Sequence, residues 1–291
     1  MGFKNIIIAP CGNRSTIFRD FWLKYREERD FEVCLLFYHE QIDNPSIYES
    51  ADHFFHLKGF KYHMIHKLLT EIHPEWLDQY DHFYFPDDDI EIDTREINKL
   101  FSLSKGFGSA ISCAALSKDS YCSWPMFKQD AASFCRYAGQ IEVMAPMFSR
   151  DALRVCMESF IGNRSSWGVD SVWSKILGYP EDKLVIFDTI LMRHIHPVGK
   201  GELYTKIGGS AHDEWEQITT KYGAKKENYR EYGRLLRVDK QHNRMNFIYY
   251  RWKEFMARRR QAVNDYDLPS RIRSQKGKLA SKVGLGEKKS V

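Results

Sequence analysis

The chain has 291 residues, of which 43% are hydrophobic, 14% aromatic and 28% charged; that apolar content supports a real core and excludes a wholly disordered polymer. No apolar run approaches the roughly 18 residues of a membrane-spanning helix. The net charge of +4 hides an asymmetry, because residues 251–291 carry 12 Lys and Arg against 4 Asp and Glu while the remainder is mildly acidic, which is not the distribution of a general nucleic-acid binder.

The amino terminus runs through Ile6-Ile7-Ile8 straight into Pro10-Cys11-Gly12. That apolar stretch is too short for a secretory signal and predicts a first strand over Lys4–Ala9. Ser15–Glu28 reads as a helix, with Ile17, Phe21 and Tyr25 each four residues apart. Phe31–Tyr38 and Asp52–Leu57 read as strands, His63–Ile72 as a helix, and Asp81–Phe85 as a strand again. Short apolar strands alternating with helices predict an α/β domain with a largely parallel sheet. In such sheets ligands collect at the carboxyl ends of the strands.

Tyr84-Phe85-Pro86 leads directly into Asp87-Asp88-Asp89. Adjacent carboxylates repel one another, so stability alone does not favour them at a strand end. One reading is a solvated turn or helix cap. The other is a hard-cation site for magnesium or manganese, which take oxygen ligands from carboxylates and substrate phosphates. In an extended loop Asp87 and Asp89 would face one ion while Asp88 points elsewhere and orders the loop.

Gly108–Leu116 predicts another strand, and Gln140–Phe148 a further one, followed by a helix over Arg150–Phe160 with Ser149 as its cap. Glu142 inside that apolar run is costly unless it is paired to an arginine or contacts substrate. Ser165–Asp170 opens a helix over Ser171–Leu177. Gly168 allows close backbone approach. Asp170 either complements the helix dipole or, screened by Trp167, acts as a general base. After the strand Lys183–Ile190, His194 and His196 would share one side of an extended segment and suit a metal or phosphate. Arg193 would add a phosphate partner. The six cysteines contain no CxxC pair and read as reduced, mostly buried thiols of a cytoplasmic protein.

This order of elements resembles a type-A glycosyltransferase. Three blocks, Phe85–Asp89, Ile141–Arg150 and Trp167–Asp170 with the later His194, are similar to an uncharacterised glycosyltransferase-like family catalogued as a domain of unknown function. The resemblance covers roughly residues 4–200. It implies a Rossmann-like, mixed and mostly parallel sheet flanked by helices. It also implies a metal-dependent transferase moving a sugar from a nucleotide-diphosphate sugar to a glycan or lipid-linked glycan, in surface polysaccharide synthesis. Within it, Asp87, Asp89 and His194 match metal ligands, with His196 in reserve. Asp170 matches the base of inverting members. Pro10, Gly12, Asn13 and Arg14 fall where such enzymes contact the nucleotide, with Asp87 and Arg193 near the phosphates and Glu142 and Trp167 on the acceptor side. The chain opens without a stem or anchor, which speaks against a Golgi-type arrangement.

The expected layout is a catalytic domain over 1–205, a helical extension over 206–265 packed on it, and a flexible basic tail over 266–291. In the extension Ile248, Trp252 and Phe255 share a helix face; it either packs on the core or lies on an anionic membrane at the inner surface. Two other functions stay open: a metal-dependent phosphoesterase or nuclease using Asp87 and Asp89, and a non-catalytic nucleotide- or glycan-binding module.

Overall fold

The computed structural model describes residues 2–198 and 209–237, together with Trp252 and Met256. The chain divides into two compact units, Met1–Arg237 and Val238–Val291. The expected helix with Ile248 and Phe255, the basic tail and its membrane role fall outside the described residues except at those two positions. Among the described residues no helix is long and apolar enough to cross a membrane.

The first unit is a mixed α/β fold with a largely parallel central sheet flanked by helices. β1 (Asn5–Cys11) pairs in parallel with β2 (Glu32–Phe37) and β4 (His82–Tyr84), and β3 (His53–His56) continues parallel to β2. Ile6 to Ile8 and Val33 to Phe37 are fully buried. Strands covered on both faces carry no polar alternation, so they are visible as continuous apolar runs. β8 (Met147–Ser149) runs antiparallel between β4 and β6 (Ile111–Leu116), and β9 (Leu184–His194) lies parallel to β6. β7 (Ser133–Ala138) and β10 (Glu231–Leu236) finish that edge antiparallel, giving the order β10-β7-β9-β6-β8-β4-β1-β2-β3. A short β5 (Ile90–Glu91) pairs with the end of β9. Buried Arg136 of β7 grips Asp188 of β9 with two hydrogen bonds, Nε to Oδ2 at 2.7 Å and Nη2 to Oδ1 at 2.8 Å. Breaking such a buried pair from one side typically costs about 3–5 kcal/mol.

Several elements differ from the sequence expectation. The predicted helix Ser15–Glu28 is only a π-turn, Phe18–Trp22, and a 3-10 turn, Arg26–Glu28. Thr94 diverts its backbone groups: its hydroxyl donates to the Trp22 carbonyl at 2.8 Å and accepts from the Tyr25 amide at 2.9 Å. Gln140–Pro146 is not a strand, so Glu142 sits in an irregular connection leading to β8. The helix α3 (Thr94–Phe107) was not expected. Its signals are nevertheless local: Asp93 caps the Glu96 amide at 2.9 Å, and Ile97, Leu100 and Phe101 form its buried face.

Residues 209–237 fall in the first unit. There a helix, Ala211–Tyr222, packs on the helix α5 (Val169–Ile176), and β10 lengthens the sheet. The other helices used below are α1 (Lys61–Lys67) and α4 (Arg150–Cys156); α2 (Trp76–Gln79) is a single turn, and the helix Ala211–Tyr222 is α6. Ser149 caps α4 as expected, accepting from the Ala152 amide at 3.3 Å. All six cysteines are unpaired, and Cys122 alone among them is not fully buried.

Candidate active site

β1, β2, β3 and β4 run parallel, so their carboxyl ends lie at one edge of the sheet, and β4 delivers the acidic triplet there. The triplet is a tight turn rather than an extended loop, closed by the Ile90 amide donating to the Asp87 carbonyl at 3.2 Å. A turn sends successive side chains in different directions, so each aspartate acquires its own partner. Asp87 Oδ1 meets the ammonium of Lys61 at 2.6 Å. Asp88 accepts from the hydroxyls of Ser15 and Tyr38, the latter at 3.2 Å. Asp89 Oδ2 lies 3.0 Å from Nε2 of His194. Asp88 is thereby tied to Ser15, which follows β1, and to Tyr38 at the end of β2.

His194 Nδ1 is 2.9 Å from the Tyr121 carbonyl, which can only accept. That nitrogen therefore carries a proton and directs Nε2 at Asp89, an arrangement that fixes a histidine for ligation or ion pairing. Burial opposes its charge, yet the bond and charge of Asp89 push the imidazole up to about 9. Asp89 Oδ1 is buried without a hydrogen-bond partner.

On the other side, Glu142 is 8% exposed and its Oε2 is likewise buried and unpartnered. Among the described residues no arginine pairs with it. Burial first, then the charges of Asp170 and Asp87, raise its carboxyl to about 8. Asp170, 5% exposed in the first turn of α5, is raised to about 6 by burial, against hydrogen bonds from Gln140 and the Ser171 amide, the latter at 2.9 Å. Because Glu142 feels both Asp170 and Asp87, and Tyr62 feels all three, these carboxylates form one electrostatic site.

A chain of aromatic rings leads to Asp170 through Tyr229. Tyr229 OH stands 3.5 Å from its Oδ2 and stacks on Trp124 with ring centroids 4.1 Å apart. Trp167 and Trp124 each meet Trp215 edge-on, at 6.1 and 6.2 Å. Gly168 has φ 84°, and a Cβ there would come within 2.2 Å of Trp215, so the glycine is what lets α6 close over α5. Trp215 and Tyr229 carry no sequence signal, since they sit some 45–60 residues beyond Asp170 in the chain. Gln140 accepts from the Asn228 amide at 3.0 Å and Ser171 donates to the Lys226 carbonyl at 2.7 Å, which pins that segment against the site.

Other expected residues divide. Gly12 packs so closely on Tyr38 and His39 that a Cβ would meet both at 2.7 Å. Asn13 takes its place by donating from its amide to His39 Nδ1 at 3.1 Å and from its side chain to the Gln41 carbonyl at 3.0 Å. Arg14 is exposed beside them. Pro10 is instead an interior residue of β1, buried opposite Leu36. Arg193 is not brought to the triplet. Neighbours on a strand face opposite ways, and Arg193 is held on the far side of His194 by Glu91 at 2.8 Å and Asp119 at 2.9 Å. His196 lies beyond the end of β9, so the shared-face argument does not reach it.

For a divalent cation the donor set is short. Among the described residues no group of three or more His, Cys, Asp or Glu side chains is arranged to hold an ion, and Asp87 is already met by Lys61. What fits is the unpartnered Asp89 Oδ1, a hard oxygen, joined by the imidazole nitrogen Nε2 of His194 once that ring releases the proton it shares with Asp89 Oδ2. Magnesium and manganese accept such a partial set when substrate phosphates complete it.

Comparison with known proteins gives three findings. A family model described as a protein of unknown function, DUF707, matches residues 4–244. No curated protein matches the chain. Among solved structures, S. aureus TarS 1–349 in complex with UDP-GlcNAc aligns at 12% identity and TM-score 0.47, covering 75% of this chain and 66% of that one. The TarS structure without that truncation aligns at 12% identity and TM-score 0.44, over 76% of this chain and 43% of its own, so this chain spans less than two thirds of these neighbours' length. A protein of Desulfovibrio desulfuricans G20, provisionally named a nucleotide-diphospho-sugar transferase, aligns at 10% identity and TM-score 0.43, over 76% and 98% of the two chains.

Proposed function

Given that the chain belongs to the DUF707 family, whose function is unknown, we propose that this member is a glycosyltransferase using a nucleotide-diphosphate sugar, with Asp170 as the base that activates an acceptor hydroxyl. The observation that carries the reading is the pair of buried carboxylates Glu142 and Asp170, electrostatically linked to the half-buried Asp87 after β4 and reached on the Asp170 side by the Tyr229 ring stacked on Trp124. Aromatic faces beside a carboxylate suit a sugar, whose C–H surface packs on rings while its hydroxyls seek acceptors.

The residues divide the work by chemistry. Gly12–Arg14, closely packed on the β2 end, border the space for the nucleotide. Asp89 and His194 would hold a magnesium or manganese ion, with Asp87 offering its second oxygen. Such an ion, when bound, supplies Lewis-acid neutralisation of the departing diphosphate. Asp170, with a carboxyl near 6, is ionised at neutral pH yet basic enough to accept the proton of a sugar hydroxyl as it attacks the anomeric carbon. Direct attack of that kind inverts the anomeric configuration. Glu142, raised to about 8, keeps its proton at neutral pH and can donate a hydrogen bond to the acceptor without competing for the hydroxyl proton. Trp167, Trp124 and Tyr229 orient the sugar and keep water from Asp170.

The test is thermal unfolding with UDP, GDP, CDP and ADP, each with and without manganese. Ligand binding to the folded state raises the melting temperature by mass action. Manganese-dependent stabilisation by one diphosphate is expected; no stabilisation by any of them, with or without metal, overturns the proposal.

A further inference from the structure

Beside α1 lies a cavity of about 540 Å³ that is lined by none of the candidate active-site residues. Its walls are the loop after β3, one face of α1, and the loop that joins α4 to α5. His56, Lys58, His63, Lys67 and Arg164 line it, and among the described residues no aspartate or glutamate does, Glu214 lying behind the loop that carries Arg164. Phe60, His63, Met64 and Lys67 recur at helical spacing and so share a face of α1, whereas Lys61 leaves the helix elsewhere to reach Asp87.

The charges are disposed for an anion. Lys67 is exposed and has no hydrogen-bond or ion-pair partner among the described residues. The Arg164 guanidinium lies over the Phe60 ring, 6.0 Å from its centroid. Lys58 is paired with Glu40, outside the lining. The Gly162 amide donates to His63 Nε2 at 3.2 Å, so neutral His63 keeps its proton on Nδ1 as a donor. The loop carrying Arg164 is held in place, because the Arg164 and Ser165 amides donate to Glu214 of α6 at 3.2 and 2.7 Å.

We propose that this cavity binds an anionic group, phosphate or carboxylate, carried by the acceptor substrate. The acceptor assignment rests on the transferase reading and on connectivity: Arg164 lies on the loop that runs directly into Trp167 and Asp170, whereas the acidic triplet takes no part in the lining. An acceptor anchored there by its charge would extend along that loop towards the base.

Calorimetric titration of the metal-free, nucleotide-free protein with inorganic pyrophosphate and with glucuronate tests the site and separates the two sources of charge. Binding of one of them is expected, weakened at least tenfold in Lys67→Glu and in Arg164→Gln, with the melting temperature unchanged in Lys67→Glu because that side chain is exposed and unpaired among the described residues. Binding of neither anion, or equal binding by parent and Lys67→Glu, overturns the proposal. Repeating the titration with manganese and the best nucleoside diphosphate present decides the assignment. Simultaneous occupancy is expected, and mutual displacement overturns the acceptor role. Failure of every nucleotide to bind would strike the transferase reading and the acceptor role with it, while the anion titration alone still decides the cavity.

Discussion

The ammonium of Lys61 stands 2.6 Å from Asp87 Oδ1 and donates as well to the carbonyls of Val143 at 3.1 Å and Met144 at 3.0 Å. All three of its protons are thereby used, so Lys61 has none left for a phosphate. It acts as a pin, joining the acidic turn after β4 to the connection that bears Glu142. The Asp87 amide strengthens the joint by donating to the Met144 carbonyl at 2.8 Å. Burial pulls the Lys61 ammonium below its ordinary value, against the charge of Asp87. Replacing Lys61 by Met leaves Asp87 without its counter-charge. The expected loss is about 1–3 kcal/mol in urea unfolding, below the range for a fully buried pair because the Asp87 side chain is 35% exposed and water screens it. Lys61→Met combined with Asp87→Asn should recover more than half of that loss, which a double-mutant cycle measures.

Asp170→Asn keeps the volume and the hydrogen bond from the Ser171 amide but cannot accept a proton. Turnover should fall by about 10²–10⁴-fold while the affinity for nucleoside diphosphate stays within experimental error. In the parent, kcat/KM should climb as pH rises through about 6 and Asp170 ionises. An unchanged turnover in Asp170→Asn would remove Asp170 from the mechanism.

Glu142 links protonation to stability. Folding raises its carboxyl from an ordinary 4.5 to about 8. Between those values the folded protein retains a proton that the unfolded chain has released, so stability declines as pH rises through that window. Glu142→Gln abolishes the linkage. Its urea midpoint should fall less than that of the parent between pH 4.5 and 8, a difference that denaturation at three or four pH values reveals.

Gly168→Ala tests the closure of α6 over α5. The φ of 84° disfavours any side chain, and the added Cβ would meet Trp215 Cδ1 at 2.2 Å and Ile218 Cγ2 at 3.1 Å. A destabilisation of about 1–3 kcal/mol is expected. The emission of Trp215 should shift red as α6 moves away, and turnover should drop further than stability because Trp215 and Trp167 lose their contact beside Asp170.

The amino-acid sequence by itself determines the frame. β1, β2, β4, β6 and the start of β9 are each visible as apolar runs because a strand buried on both faces has no polar period to interrupt it, and Ser149 and the acidic triplet are legible because caps and strand-end turns are local. Where local signs are weak, the sequence says less: Glu142 looks like a strand residue because Ile141, Val143 and Met144 are apolar, although the backbone there is irregular. Only the tertiary structure decides partners. Lys61 and Asp87 are 26 positions apart, Asp89 and His194 are 105, and Asp170 and Tyr229 are 59. No periodicity spans such separations. A charge buried among distant segments takes whichever counter-charge the folded sheet brings within reach, and that is a property of topology rather than of neighbouring residues.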